Sequence, residues 1–175
     1  FIVEPYGQRY NNKVKVGDKS LIINTQLETF KAVNNIAKVI EVPASYKTSV
    51  KKGDLIMIHH NVFRRWFNIK GEEKNSKSYF KDNLYFVQRD QVYLYKTKDK
   101  WKAFDDRCFI NPLKNENDID ANLEQHLIGI LKYGNSSLEA LGINEEELVG
   151  YKPGGEYDFV VEGKRLYCMK SNDIV

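Results

Sequence analysis

The chain has 175 residues, of which 42% are hydrophobic and 13% aromatic, and its 27 basic and 24 acidic residues leave a formal net charge of +3. This composition is typical of a globular protein, and the near balance of charge argues against the strongly basic surface of a nucleic-acid-binding domain. No stretch approaches the roughly 18 apolar residues that a membrane-spanning helix needs, so no membrane partner is expected. Cys108 and Cys168 stand at matching apolar positions and are predicted to be reduced core residues.

A short phrase occurs twice and organises the chain. Residues 84–92 read Leu-Tyr-Phe-Val-Gln-Arg-Asp-Gln-Val, and residues 166–174 read Leu-Tyr-Cys-Met-Lys-Ser-Asn-Asp-Ile. Each copy follows a turn signal and combines strand-forming residues with a polar corner. Three further apolar blocks precede each copy in the same order, namely 21–24 and 108–111, 36–40 and 127–131, and 51–58 and 144–151. The pattern predicts a tandem duplication of one small β unit.

In chain order, residues 1–16 are predicted to be an extended lead-in whose first three residues can add a strand to a sheet. A short loop, 26–33, follows the first strand of the unit, and Pro43 ends the second strand because proline removes a ladder hydrogen bond. Residues 97–100 join the two units. The strands predicted in the first unit, besides the repeated phrase, are residues 21–25, 36–42, 55–58 and 92–95.

The alternation of side chains along a strand assigns faces to the repeated phrase. Because successive residues of a strand point to opposite sides, Leu84 and Phe86 are predicted to face inward and Tyr85 outward. In the second unit the same reasoning places two residues inward, Leu166 and Cys168, and one outward, Tyr167.

The first unit carries an insertion that the second lacks. The stretch from Leu55 to Leu84 is longer than the stretch from Leu148 to Leu166, and the additional residues fall within 64–77. This segment is predicted to be a protruding hairpin with its tip near residues 70–72. Since the sister unit folds without it, its aromatic residues point to contact with another protein chain. The candidate partner-binding residues of the hairpin are Arg64, Arg65, Trp66, Phe67 and Ile69.

The second unit begins near Trp101 and carries a long polar segment, 112–125, between its first two strands. A loop of more than about 12 residues in a compact domain is usually functional or disordered, and residues 115–122 are predicted to be mobile. The acidic part of this segment, 116–124, complements the basic hairpin of a neighbouring copy, which predicts head-to-tail assembly. The candidate partner-binding residues of the loop are Asp118, Ile119, Asp120 and Leu123. The strands predicted in this unit, besides the repeated phrase, are residues 107–110, 127–131 and 157–161, with one helical turn at 137–141 and Ser136 or Ser137 as its N-cap.

The order of these parts resembles the ten-kilodalton co-chaperonins of the GroES type. The most specific piece is 163–174, where a glycine turn, a short apolar strand and a Ser-Asn-Asp-Ile corner follow one another. In the first unit, Lys-Lys-Gly-Asp-Leu at 51–55 is similar to the strand entry Val-Gly-Asp-x-Val of that family. The resemblance covers residues 106–174 and, more loosely, the first unit. It implies an all-β protein of two tandem GroES-like small β-barrels, residues 1–96 and 97–175.

The resemblance also implies a function. Such a protein is a non-enzymatic, ring-forming homo-oligomer that caps a chaperonin, and it needs no cofactor. Residues 57–66 and 148–153 are similar to GroES-like proteins of marine tailed phages, which implies a bacteriophage protein in the cytoplasm of a bacterial host. A co-chaperonin holds its chaperonin through a mobile loop with a glycine pair and an aliphatic tripeptide, and segment 112–125 offers only Ile119 and Leu123 there. The alternative is a virion structural or decoration protein that packs against capsid or tail proteins.

Motifs for catalysis or metal binding are not recognised in the sequence. His59 and His60 are adjacent at the end of a strand and are predicted to point to opposite faces, which is poor geometry for one metal ion. Residues 153–156, Pro-Gly-Gly-Glu, lack the strand and helix that flank a phosphate-binding loop. The basic and aromatic cluster at 64–67 could stack on nucleic-acid bases, but two glutamates follow it at 72–73. No catalytic, cofactor or metal site is expected, and protein rather than nucleic acid is the expected partner.

Overall fold

The fold is taken from a computed structural model, which describes residues 1–10, 13–16, 19–22, 32–114 and 124–175, and the side chains of all these except 13–16 and 19–22. The chain divides into two compact units, Phe1–Asp99 and Lys100–Val175. Within the described ranges most ordered segments are strands, so the predicted all-β class is confirmed. No helix in these ranges is both long and apolar enough to cross a membrane.

The first unit is built on one antiparallel sheet with two separate hairpins. Its strands are β1 (Ile2–Pro5), β2 (Lys13–Val16), β3 (Lys19–Ile22), β4 (Ile36–Glu41), β5 (Leu55–Ile58), β6 (Arg65–Phe67), β7 (Glu73–Asn75), β8 (Tyr79–Lys81), β9 (Leu84–Phe86) and β10 (Val92–Thr97). Among the strands of this unit the sheet order is β10-β5-β4-β1-β9-β8. The pairs β2–β3 and β6–β7 form the hairpins. Short 3-10 helices, His60–Val62 and Arg89–Gln91, precede β6 and β10.

The second unit has its own antiparallel sheet and one short helix. Its strands are β11 (Lys100–Ala103), β12 (Arg107–Lys114), β13 (Glu124–Tyr133), β14 (Leu148–Gly150), β15 (Tyr157–Val161) and β16 (Lys164–Lys170). The sheet order is β14-β13-β12-β16-β15. The helix α1 (Ser136–Ala140) follows β13, and a 3-10 helix, Ser171–Asp173, follows β16. Beyond it, Ile174 bridges to Tyr151, next to β14.

The two units share one strand order. The strands β5-β4-β1-β9-β8 of the first correspond to β14-β13-β12-β16-β15 of the second. After β9 in the first unit and after β16 in the second, the chain makes a 3-10 turn. It then pairs with β5 through β10 in the first unit, and in the second it pairs through Ile174 with Tyr151, next to β14. This shared order is the outcome that a tandem duplication predicts.

The polar corner of the repeated phrase has the same hydrogen bond in both units. At the first corner the side chain of Gln91 accepts a hydrogen bond from the backbone N–H of Gln88, at 2.9 Å. At the second, the carboxylate of Asp173 accepts from the backbone N–H of Lys170, at 3.2 Å. A side chain three residues ahead therefore satisfies a donor that the 3-10 turn would leave unpaired.

The first strand of the first unit is not where the sequence pattern placed it. β1, from the predicted lead-in, lies between β4 and β9, with Val3 fully buried. Residues Lys19–Ile22 pair instead with Lys13–Val16. The remainder of the predicted strand 21–25 and most of the predicted loop 26–33 lie outside the described residues. The prediction failed because a strand of four residues is too short to show a period.

The face assignment was wrong for the first unit. Tyr85 is buried and packs edge-to-face on Phe63, with ring centroids 4.9 Å apart, whereas Phe86 is 48% exposed. Leu84 is half-buried. The phrase has apolar or aromatic residues at four successive positions, so alternation alone does not fix which face is buried.

In the second unit both faces of the equivalent strand are covered. Leu166 and Cys168 are buried as predicted, but Tyr167 is half-buried and packs on the other side, against a core cluster that includes Cys108 and Leu131. Both cysteines are free, and burial raises the pKa of each thiol to about 12. Neither is therefore a thiolate at neutral pH.

Two further predictions are corrected. The sheets are open and do not close into barrels. The helical turn is present as α1, but its N-cap is Asn135 rather than Ser136 or Ser137, since the Asn135 side chain accepts from the backbone N–H groups of Ser137 and Leu138. Asparagine is among the best N-cap residues for this reason.

Candidate functional site

The inserted hairpin of the first unit consists of β6, β7 and the tip between them. In it Arg65 pairs with Asn75, Trp66 with Lys74, and Phe67 with Glu73. Arg64 precedes β6 and is half-buried, and Ile69 lies in the tip. The five hairpin residues predicted to bind a partner thus form one arm of the hairpin and its end.

Arg9 holds the base of the hairpin. Its Nε donates to the carbonyl of Phe63, its Nη2 to the carbonyl of Arg64 at 3.2 Å, and its Nη1 to Oδ1 of Asn75 at 2.7 Å. One planar guanidinium therefore ties together the chain entering β6 and the end of β7. Desolvation by burial lowers the pKa of Arg9. The Cζ atom of its guanidinium lies over the ring of Tyr85, 5.3 Å from the ring centroid.

Tyr10 makes the second connection to the hairpin. Its hydroxyl accepts from the backbone N–H of Arg65 at 2.7 Å, and the Arg65 guanidinium lies 4.3 Å from the centroid of the Tyr10 ring. The same guanidinium pairs with Glu73 on β7 at 3.1 Å. A cation held on an aromatic face and in an ion pair is restricted in direction, so the root of the hairpin is fixed.

The tip is ordered by its own hydrogen bonds. Oδ1 of Asn68 accepts from the backbone N–H of Lys70 and of Glu72, each at 3.0 Å. The backbone N–H of Gly71 donates to the carbonyl of Asn68 at 2.9 Å, and Gly71 has a φ of 74°, which glycine adopts without strain. These hydrogen bonds define the backbone of the turn that carries Ile69.

The hairpin exposes apolar side chains that its own unit does not cover. Trp66 is 52% exposed, Phe67 is 41% exposed and Ile69 is fully exposed. The indole N–H of Trp66 donates to the carbonyl of Asn75 at 3.2 Å, so the ring lies against the hairpin rather than against the sheet. Segment 64–77 also carries five basic residues against two acidic ones. An aromatic surface with a basic rim is suited to contact with a protein.

A second apolar surface lies on the sheet of the same unit. Phe80 on β8 and Phe86 on β9 are 43% and 48% exposed, and their ring centroids are 4.8 Å apart. Ile2 is the β1 partner of Phe86 and is half-buried beside it. We call Phe80, Phe86 and Ile2 the outer face. The sequence pattern missed it because the phase of β9 was assigned in reverse.

The loop residues predicted to bind a partner, Asp118, Ile119, Asp120 and Leu123, lie outside the described residues, as does the segment 115–122 predicted to be mobile. Glu124, the first residue of β13, pairs with Arg165 and accepts a hydrogen bond from the hydroxyl of Tyr167. The pKa of Tyr167 is raised to about 12 by desolvation and by its bond to Glu124. These contacts hold the start of β13 in place.

The histidine pair does not have the geometry that the sequence suggested. β5 ends at Ile58, and His60 begins a 3-10 helix, so the rings of His59 and His60 stack with centroids 4.3 Å apart instead of pointing to opposite faces. Throughout the described ranges, no group of three or more His, Cys, Asp or Glu residues is placed to hold a metal ion.

His60 makes the stability of the first unit depend on pH. Its pKa falls from 6.5 to about 4, chiefly through desolvation and then through the positive charges of His59 and Arg64. The unfolded chain therefore takes up a proton at a higher pH than the folded chain does. The resulting stability is complete above pH 6.5 and is lost as the pH falls from about 6.5 to about 4.

A His60→Gln variant is expected to lose less stability than the wild type across this window. The measurement is urea unfolding at pH 7.5 and at pH 5, and the quantity compared is the loss of unfolding free energy between the two pH values. His126→Gln, at an exposed position of β13, is the control substitution. Equal losses in the wild type and in His60→Gln would show that the histidine is not responsible.

No protein-family model, curated protein or solved structure matches the chain. Any assignment of function therefore rests on its own residues and fold.

Proposed function

We propose that the protein is a non-enzymatic, co-chaperonin-like protein, a ring-forming homo-oligomer that caps a chaperonin in the cytoplasm of a phage-infected bacterium. The observation that carries the proposal is the shared strand order of the two units. The residues with the most specific resemblance to the GroES type, 163–174, form a strand and a 3-10 corner, and residues 84–92 form the same corner in the other unit. Sequence resemblance and repeated local structure thus fall on the same segments.

The connection from β1 to β4 in the first unit, and from β12 to β13 in the second, is where a co-chaperonin would carry its chaperonin-binding loop. In the second unit this connection contains the candidate residues 118–123. In the first unit β1 ends at Pro5 and β4 begins at Ile36, so the connection is residues 6–35 and not the short loop 26–33. That longer connection contains Leu21-Ile22-Ile23, an aliphatic tripeptide of the kind the family uses.

We therefore assign chaperonin contact first to residues 21–23. The aliphatic side chains of such a tripeptide can bind in an apolar groove, because burial of apolar surface favours association. The acidic loop of the second unit, which lacks such a tripeptide, serves as an accessory contact in this assignment.

The test is capture of the protein by a purified GroEL-type bacterial chaperonin with and without ATP. The wild type is expected to bind in the presence of nucleotide, and a Leu21→Ser/Ile22→Ser variant is expected to lose binding while its native mass is unchanged. A Lys13→Ser variant, in the other strand of the same hairpin, is the matched control.

Absence of capture with any nucleotide, together with presence of the protein in purified phage particles, would replace the proposal by the alternative function. In that case the same fold would serve as a virion structural or decoration protein, and the exposed hairpin would contact capsid or tail proteins.

A further inference from the structure

The insertion of the first unit starts directly after a hydrogen bond that both units share. The backbone N–H of His59 donates to the carbonyl of Gln91 at 2.9 Å. Its counterpart in the second unit, the N–H of Lys152, donates to the carbonyl of Asp173 at 2.8 Å. The second unit then continues with Pro-Gly-Gly, whereas the first continues with a 3-10 helix that leads to Arg64 and the hairpin. The shared fold therefore does not require the residues that follow His59.

The backbone around Arg64 is held without its own side chain. The Arg64 carbonyl accepts a hydrogen bond from Nη2 of Arg9 at 3.2 Å, and the next backbone N–H, that of Arg65, donates to the hydroxyl of Tyr10 at 2.7 Å. Both contacts are made by residues outside the hairpin. The guanidinium of Arg64 is thus carried on a fixed point of the chain, and neither contact depends on it.

The guanidinium of Arg64 has a buried donor without an acceptor. Its Nε is buried and makes no hydrogen bond to any described residue. The Nε of Arg65 is in the same condition, but a terminal nitrogen of that side chain pairs with Glu73 at 3.1 Å. A charged donor that has lost water and gained no partner is costly. An anion that accepts from Arg64 would remove this cost.

Three guanidinium groups lie at the root of the hairpin, those of Arg9, Arg64 and Arg65. Arg65 pairs with the carboxylate of Glu73, whereas Arg9 donates to carbonyl and amide oxygens that carry no charge. The other acid of the hairpin, Glu72, pairs with a neighbouring lysine at 3.1 Å. The described part of the root therefore has an excess of positive charge, which an anionic ligand would balance.

The histidine pair adds a further donor and further positive charge. Nδ1 of His59 accepts from the backbone N–H of Asn61 at 3.1 Å, so the neutral ring carries its proton on Nε2. His60 stacks on His59 with ring centroids 4.3 Å apart, and the ring of Tyr93, on β10, lies 6.3 Å from that of His59. Burial, and then the positive charges of His59 and Arg64, lower the pKa of His60 to about 4. The charges that act on His60 are thus positive.

We propose that Arg64, beside His59 and His60, binds the phosphate group of a small molecule at the root of the β6–β7 hairpin. A guanidinium matches phosphate oxygens with two parallel hydrogen bonds, and a dianion offsets more of the excess charge than a single carboxylate does. Trp66, two residues further along, is 52% exposed, so its ring offers a stacking surface to a nucleoside attached to the phosphate. The site is independent of the proposed function, which assigns chaperonin contact to residues 21–23.

The test is an NMR titration that follows the histidine resonances while inorganic phosphate is added. The chain has three histidines, so each can be followed separately at pH 7 and constant ionic strength. The resonances of His59 and His60 are expected to shift to saturation, whereas His126, exposed on β13, should not move. Arg64→Gln is expected to raise the Kd for phosphate by about tenfold or more, because a hydrogen bond between charged groups is lost.

Two variants separate binding from net charge and from folding. Lys77→Gln removes one positive charge from an exposed position of the same segment, and it should bind phosphate like the wild type. Arg64→Lys keeps the charge and loses the planar fork, so its Kd should lie between those of the wild type and Arg64→Gln. Thermal unfolding checks that Arg64→Gln is folded, and if it is not, Arg64→Lys becomes the test variant.

A titration with AMP identifies the source of the phosphate group. Tighter binding of AMP than of inorganic phosphate, with quenching of the Trp66 emission in a Trp101→Phe background, would assign the site to a nucleoside phosphate. Equal affinity for the two would assign it to phosphate itself.

The titration of His60 places the anion beside it. In chloride solution, Arg64→Gln should raise the pKa of His60 above about 4, because a positive neighbour is removed. In the wild type, sulfate should raise the same pKa relative to chloride at equal ionic strength, since a bound anion favours the protonated ring. In Arg64→Gln the effect of sulfate should be lost, which a purely structural role of Arg64 does not predict.

The inference is overturned if Arg64→Gln binds phosphate as tightly as the wild type, if the resonance shifts do not saturate, or if His126 moves as much as His60. Loss of chaperonin capture by the Leu21→Ser/Ile22→Ser variant leaves these results untouched. Failure of the phosphate site and failure of the proposed function are therefore distinguishable.

Discussion

A Gly129→Ala variant is expected to lose about 3 kcal/mol of unfolding free energy, at the upper end of the cost of overpacking a core. Gly129 is buried in β13, where it pairs with Pro112 of β12 and Val149 of β14. A Cβ atom there would lie 2.3 Å from Cγ2 of Ile110 and 2.8 Å from the carbonyl oxygen of Asn111. Neither atom is the end of a flexible side chain, so the strands themselves would have to separate.

The control for this prediction is Gly134→Ala, just beyond the end of β13. Its Cβ would lie 3.4 Å from Cδ2 of Leu131, which is close to ordinary contact. Urea denaturation of the full chain is the measurement, and the control variant should stay near the wild-type value. Equal behaviour of the two variants would mean that β12 and β13 are not packed as closely as described.

An Asn135→Ala variant is expected to lose about 3 kcal/mol of unfolding free energy. The Asn135 amide donates to the carbonyl of Arg107 and to the hydroxyl of Ser171, both at 2.7 Å. Its Oδ1 accepts from Ser137 N at 3.0 Å and Leu138 N at 3.2 Å. Alanine removes the cap of α1 and also the hydrogen bonds that the Asn135 amide donates to Arg107 and Ser171, and the two costs add.

Two substitutions make this measurement specific. Asn135→Asp keeps the acceptor for α1 and loses both donors, so its unfolding free energy should fall between those of the wild type and alanine. Asn172→Ala, at an exposed position of the nearby 3-10 helix, should change stability by less than about 0.5 kcal/mol. If alanine at 135 costs no more than alanine at 172, the network around Asn135 contributes nothing to stability.

The repeated phrase allowed most of the sheet to be predicted. Because apolar blocks occur twice in one order, β4, β5, β9 and β10 of the first unit and β12, β13, β15 and β16 of the second were located from the sequence, whereas β8 was missed. β1 was missed because Leu21-Ile22-Ile23 is more apolar than Ile2-Val3-Glu4-Pro5 and therefore resembles a core strand more strongly. β1 takes its place in the sheet by pairing with β4 and β9. Such pairing between distant strands cannot be recognised in the sequence of a four-residue segment.

The candidate site was predictable in part. The inserted hairpin and its aromatic residues follow from the difference in length between the two units. Its attachment does not, since Arg9 and Tyr10 are more than fifty residues away from Phe63 and Arg65 in sequence. The outer face was also missed. In Leu-Tyr-Phe-Val, at 84–87, either the first and third residues or the second and fourth can face the core. Packing of Tyr85 on Phe63 buries the second and fourth.

The native mass of the assembled protein tests ring formation, the central claim, most directly. The account predicts a single closed oligomer, an integral multiple of the chain mass of 20.4 kDa, whose size does not change as concentration increases. A closed ring has this property because every contact surface is occupied and none is left to recruit another copy. A monomer at every concentration, or a series of species that lengthens with concentration, would contradict the account.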